Sequence, residues 1–126
     1  MKILEELGIT PNNIKLYERA FSHTSYANEN NVESYERLEY LGDAVLELII
    51  SEYLYKNTEY EEGEMTKKRG TYVCENANFE YSMELGLNEY LKLGHGEEEN
   101  GGRTRKAIVA DIFESFIGAM FLDQGI

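Results

Sequence analysis

The sequence predicts an all-α fold, and three observations carry that prediction. A single proline stands among 126 residues, and the eleven glycines gather in a few places. Apolar residues recur at helical spacing through several long stretches. No stretch alternates in the manner of a half-buried strand, so helices joined by short loops are the expected architecture.

Taken in order, Thr10-Pro11 reads as an N-cap followed by proline at the first helical position. The helix after it carries Ile14, Leu16, Tyr17 and Phe21. Ser22 to Ser34, rich in Asn and Ser, reads as a loop with at most a short turn. Tyr35 to about Lys56 is the strongest helix, with Leu38, Leu41, Val45 and Leu48 on one apolar face. A third helix is expected from Glu64 to Leu85, closed by Gly86, although Gly70 inside it weakens the pattern. Leu87 to Leu93 suggests a short helix, and Gly94 to Gly102 a glycine- and glutamate-rich loop. The last helix starts near Arg103 and carries Ile108, Phe113, Phe116, Ile117, Met120 and Phe121.

Length and a 42% hydrophobic content suit one domain with a real core, spanning residues 1–126. There is no long apolar run for a membrane span, and the start, Met1-Lys2-Ile3-Leu4-Glu5-Glu6, lacks the features of a signal peptide. Cys74 is the only cysteine, which fits a reducing cytoplasm, and it is expected as a small buried residue. The net charge of −12 argues, by itself, against a polyanionic ligand. Carboxylates that hold divalent cations would give the acidic excess a different purpose.

Such carboxylates have the right spacing. At about 100° per residue, Glu39, Asp43 and Glu47 fall in a narrow arc around Glu36, expected on the side opposite the apolar face. Like charges so placed repel by roughly 0.2–0.5 kcal/mol per pair. No Lys or Arg relieves the stripe. Asp111 and Glu114 form a second pair, at i and i+3, in an otherwise apolar helix. If the two helices pack with their acids adjacent, the cluster needs cations, and all-oxygen ligands select Mg²⁺ or Mn²⁺ over zinc. An acid-rich solvated face has the same spacing, and spacing does not show that the two helices meet.

The same residues carry a longer pattern. Glu36-Arg37-Leu38-Glu39-Tyr40-Leu41-Gly42-Asp43-Ala44-Val45-Leu46 closely resembles the signature stretch of the ribonuclease III family. Ala20-Phe21-Ser22-His23-Thr24-Ser25-Tyr26, Glu62-Gly63-Glu64-Met65-Thr66, Leu93-Gly94-His95-Gly96-Glu97-Glu98, Gly101-Gly102-Arg103 and Ala110-Asp111-Ile112-Phe113-Glu114-Ser115-Phe116-Ile117-Gly118-Ala119 match its other blocks in order. The resemblance implies an all-helical, homodimeric catalytic domain that hydrolyses double-stranded RNA in rRNA and mRNA processing. Products would carry 5′-phosphate and 3′-hydroxyl ends.

Carried over residue by residue, the resemblance makes Glu39, Asp43, Asp111 and Glu114 the metal ligands, with Asp43 and Glu114 the most sensitive catalytic positions. Glu36 and Glu62 match further acidic positions that contact RNA or help order the site. The basic clusters that include Lys67 and Arg103 either solvate helices and compensate their dipoles or make phosphate contacts beside the metal site, which an RNA ligand favours. Two Mg²⁺ ions, for which Mn²⁺ would substitute, would activate a water and stabilise the leaving oxygen. His23 is expected to be structural, His95 exposed and Glu47 plain surface. Ala107 and Ser115 depart from the residues common in the family. The alternative is a non-cleaving dimeric module that holds duplex RNA, whose relatives typically lose part of the acidic set. Family members usually continue with a helix and a basic RNA-binding domain. The chain stops at Leu122-Asp123-Gln124-Gly125-Ile126, so a fragment or truncated form is expected.

Overall fold

The computed structural model describes residues 1–126 and is helical throughout, with eight α-helices and two short 3₁₀ turns. The helices are α1 (Lys2–Glu6), α2 (Ile14–Ala20), α3 (Thr24–Asn30), α4 (Glu36–Asn57), α5 (Glu62–Tyr72), α6 (Glu75–Leu85), α7 (His95–Glu99) and α8 (Lys106–Gln124). The 3₁₀ turns cover Leu87–Tyr90 and Gly102–Thr104. The only β-type pairing is an isolated bridge between Ser22 and Lys92. No helix is long and apolar enough to cross a membrane.

α8 is the central element. It buries Ile108, Val109, Ala110, Ile112, Ser115, Phe116, Gly118 and Ala119, and packs against α2, α4 and α6. Phe116 anchors an aromatic cluster: its ring centroid lies 6.0 Å from that of Tyr17 and 5.7 Å from that of Phe21. Burying one such ring contributes roughly 1.5–3 kcal/mol. Ser115, buried in the same face, donates from Oγ to the carbonyl of Ala20 at 2.6 Å and so ties α8 to the end of α2.

Several elements differ from the expected ones. The five-residue α1, with Ile3 and Leu4 buried, is too short for periodicity to register. α2 begins at Ile14 and not beside Thr10-Pro11, because Asn13 is the side-chain cap, accepting from Lys15 N–H. Residues 12 and 13 are instead held by the carboxylate of Asp123. The polar stretch after Phe21 contains α3, capped by His23 Nδ1 and ended by Asn31 at φ 52°.

The expected helix from Glu64 to Leu85 is two helices. Val73 and Cys74 leave the helical conformation, with Cys74 extended at φ −152°, and Tyr81 closes the corner by donating to Tyr72 O at 3.0 Å. Cys74 is therefore exposed, not buried. α7 lies inside the expected glycine-rich loop, and α8 begins three residues later than Arg103.

Candidate metal centre

α4 and α8 touch backbone to backbone. The contact is built on two glycines, each inside a helix. A Cβ at Gly42 would overlap the carbonyl of Glu114, and one at Gly118 would overlap the carbonyl of Leu38. This approach carries the acids of α4 to those of α8. The expected geometry of α4 needs one correction here. Its buried residues are Leu38, Gly42, Val45, Leu46 and Leu54, while Leu48 is 58% exposed. The buried face thus turns toward Glu39, and the acidic stripe borders the core instead of opposing it.

Glu39, Asp111 and Glu114 consequently converge, each half-buried, with one carboxylate oxygen of each lying within 4.8 Å of the others. Asp43, Glu36, Glu39, Tyr40 and Glu114 line an open cleft of about 410 Å³ above them. Desolvation, the charge of Asp111 and a hydrogen bond to it push Glu39 up to about 8. Desolvation and then Asp43, by hydrogen bond and charge, push Glu114 up to about 8. Asp111 is also raised by burial, but hydrogen bonds from Glu39 and Tyr35 work against the rise. Acids forced this far from their ordinary range mark a site that lacks positive charge. The donor set is all oxygen, with no histidine or thiol, and that suits a hard divalent cation.

A scan against family models matches the Ribonuclease-III-like model to residues 13–126. The chain belongs to the ribonuclease-III-like family. Curated proteins named Ribonuclease 3 from Staphylococcus aureus, strains RF122 / ET3-1 and JH9 among them, are 51% identical over 98% of this chain. The chain spans about half, 52%, of their length. Two solved structures of the nuclease domain of ribonuclease III from Campylobacter jejuni share the fold. One, concerned with flexibility in a region involved in dimer formation, has a TM-score of 0.90 and 34% identity, covering 98% of this chain and 85% of that one. The other has a TM-score of 0.88 and 33% identity, covering 98% and 83%.

The remaining residues singled out from sequence lie elsewhere. Glu36 opens α4 at the rim of the cleft and accepts from Ser34 Oγ. Glu62 opens α5 and lines a separate groove of about 580 Å³ with Leu48, Leu54, Met65 and Arg69. Lys67 is exposed on α5. Arg103, partly exposed, is tied to its own chain: Nη1 donates to Leu91 O at 2.9 Å and Asn88 O at 3.1 Å, and Glu98 takes Nε and Nη2. It clamps the Leu87–Tyr90 turn, with about a third of the side chain still exposed. His23 caps α3. His95, 96% exposed, pairs with Glu29 at 2.7 Å. Glu47 faces solvent.

Three features of the site were not read from sequence. Gly42 and Gly118 had a signal, since glycine inside a helix costs about 1 kcal/mol relative to alanine and calls for a packing reason. Glu75, at the start of α6, adds negative charge beside Asp111. Tyr35 donates from its hydroxyl to Asp111 Oδ2 at 3.2 Å. Tyr35 stands one helical turn before Glu39, whereas Glu75 has no spacing relation to the acidic set.

Proposed function

We propose that this chain is the catalytic domain of an endoribonuclease that hydrolyses double-stranded RNA with Mg²⁺, acting as a homodimer. The convergence of Glu39, Asp111 and Glu114 between α4 and α8, with Asp43 at the mouth, carries this reading. The names of the curated relatives support it. The complete acidic set favours cleavage over a non-cleaving RNA-binding role.

Glu39, Asp111 and Glu114 would hold the cation, and Asp43 and Glu36 extend the acidic surface into the cleft. Bound Mg²⁺ supplies a water activated at neutral pH and neutralises charge developing on the phosphate. The protein's own residues desolvate the carboxylates and fix them on two helices that cannot slide apart. Glu39 and Glu114, pushed up to about 8, would release protons on taking up a cation. The cleft is open on one side, which suits a long duplex read through its A-form shape and phosphates. Lys67, exposed near the start of α5, is a phosphate contact in this reading.

Exposed apolar groups along α4 favour a second copy as partner: Tyr40 is 84% exposed, Leu48 58%, Tyr53 59% and Tyr55 78%. Such a concentration on one helix is characteristic of an interaction surface. Two opposed sites would each cut one strand and leave 5′-phosphate and 3′-hydroxyl ends.

The test is cleavage of duplex and matched single-stranded RNA with Mg²⁺ or chelator, followed by end-group analysis, for the wild type and Glu114→Gln. The wild type cuts only duplex and only with metal. Glu114→Gln keeps the fold and loses more than the roughly 100-fold that removing a supporting residue costs. Near wild-type cutting by Glu114→Gln refutes the assignment.

A further inference from the structure

Tyr35 stands immediately before α4 and is 3% exposed. Its hydroxyl is directed at one partner, Asp111 Oδ2, at 3.2 Å. The rest of the residue is fixed from two sides. Its backbone N–H donates to Ser22 O at 2.9 Å. Its ring meets that of His23 edge-on, with centroids 5.9 Å apart. His23 is itself immobilised, because its Nδ1 accepts from Ser25 N–H at 3.1 Å and lies 2.8 Å from Ser25 Oγ. A buried hydroxyl held in this way offers its proton in one direction only.

We propose that Tyr35 is a positioning residue for the metal centre, fixing the orientation of the Asp111 carboxylate so that its free lone pairs face the cation. The proposal rests on the metal-centre reading given above. A carboxylate accepts at about four lone-pair sites, so one hydrogen bond at Oδ2 leaves the ligand capacity of Asp111 intact. A side chain on a helix can rotate about two torsions, and each orientation lost before binding lowers the entropic cost of binding. A donor placed behind a ligating group restricts that rotation, and losing such a donor typically costs 10–100-fold in metal affinity or activity. His23 acquires a role from the same geometry. It holds the phenol ring and does not act on the metal.

The experiment compares Tyr35→Phe with Tyr17→Phe. The first keeps the ring and its contact with His23 and removes only the hydroxyl. The second removes the hydroxyl of another buried tyrosine, one that serves Asp123, at 2.7 Å, away from the acidic cluster. Mn²⁺ is titrated into the metal-free chain and free ion is followed by electron paramagnetic resonance. Half-maximal Mg²⁺ for duplex cleavage is measured alongside. Tyr35→Phe is expected to weaken Mn²⁺ binding by about 10-fold or more. Its half-maximal Mg²⁺ should rise by the same factor, with the rate at saturating Mg²⁺ changed far less. Tyr17→Phe should lower the melting temperature and leave Mn²⁺ affinity unchanged. Mn²⁺ affinity within about twofold of wild type in Tyr35→Phe, or an equal loss in Tyr17→Phe, overturns the positioning role and leaves the metal centre standing. Failure of the wild type to bind Mn²⁺ overturns the metal centre and this proposal together.

Discussion

Replacing Gly42 by alanine tests whether helix contact builds the site. The added methyl would fall well inside van der Waals distance of the Glu114 carbonyl oxygen, with the backbone nitrogen of Gly118 only 3.0 Å away. Both obstacles are backbone of α8, so no side chain can swing aside. Relief requires α4 and α8 to separate by on the order of 1 Å, in a core packed too densely to absorb it. Overpacking of this kind costs about 1–3 kcal/mol and sometimes more. The functional cost is larger than the loss of stability. Metal ligands need their geometry within about 0.5 Å, and Glu39 and Glu114 sit on opposite sides of the widened seam. Gly42→Ala should therefore melt well below the wild type and bind Mn²⁺ at least 10-fold more weakly, even where it is fully folded. Gly70→Ala is the matched control. Gly70 lies inside α5, where an added methyl would meet nothing within 4 Å, and the substitution should stabilise the chain by about 0.5–1 kcal/mol. Thermal melts and Mn²⁺ titrations of the two variants decide the matter. A Gly42→Ala protein with wild-type melting temperature and wild-type Mn²⁺ affinity would refute the argument.

Two further outcomes follow from the acids. Glu39 and Glu114 hold protons in the folded, metal-free chain up to about 8, whereas the unfolded chain releases them near 4.5. The folded state then binds more protons between those values, so metal-free stability should fall as pH rises from about 4.5 to 8. One pKa unit is worth about 1.4 kcal/mol, and solvent screening of half-exposed groups reduces the total to on the order of 1–2 kcal/mol. Melts in chelator near pH 5 and pH 8 should show this slope, Glu114→Gln should flatten it, and Mg²⁺ should offset it; identical slopes for the wild type and Glu114→Gln would count against it. Asp123 has the opposite sign. Against the upward push of desolvation, donors from Gln124, Tyr17, Asn13 and Asn12 hold it at about 2, below its usual 3.8. Its contribution is present above pH 4 and lost as pH falls through about 2, so the melting-temperature deficit of Asp123→Asn should be full at neutral pH and shrink in strong acid.

The acidic residues were legible because a helix converts sequence spacing into a face, and Glu36, Glu39, Asp43 and the Asp111–Glu114 pair all obey it. Which side of α4 was buried was harder to read. Gly42 is a core position with no apolar side chain to announce it, and Leu48, which fits the apolar pattern, is exposed. α3 was hidden for a similar reason: of its seven residues only Ala27 is buried, and its Ser and Asn suggest a loop. The division between α5 and α6 has no glycine or proline to mark it and depends on a tertiary bond from Tyr81. Arg103 carries a structural task that composition did not announce: its guanidinium also binds the carbonyls left open by a 3₁₀ turn.

Under the proposed function, the net charge of −12 and an RNA ligand would be reconciled at the same seam. A surface carboxylate repels a phosphate permanently, whereas burial and acidic neighbours push Glu39 and Glu114 up to about 8, so that a bound cation would displace protons from them. On that reading the centre would exchange protons for divalent charge, and the local field met by a phosphate would turn favourable once a cation is held. This exchange requires carboxylates close enough to repel and dry enough to neutralise. Two glycines provide both conditions. By letting α4 and α8 approach to backbone contact, they bring the acids within a few ångströms of one another and leave each half-buried. The small residues and the acidic residues of the two matching motifs are thus one device: the glycines set the distance and the acids respond to it.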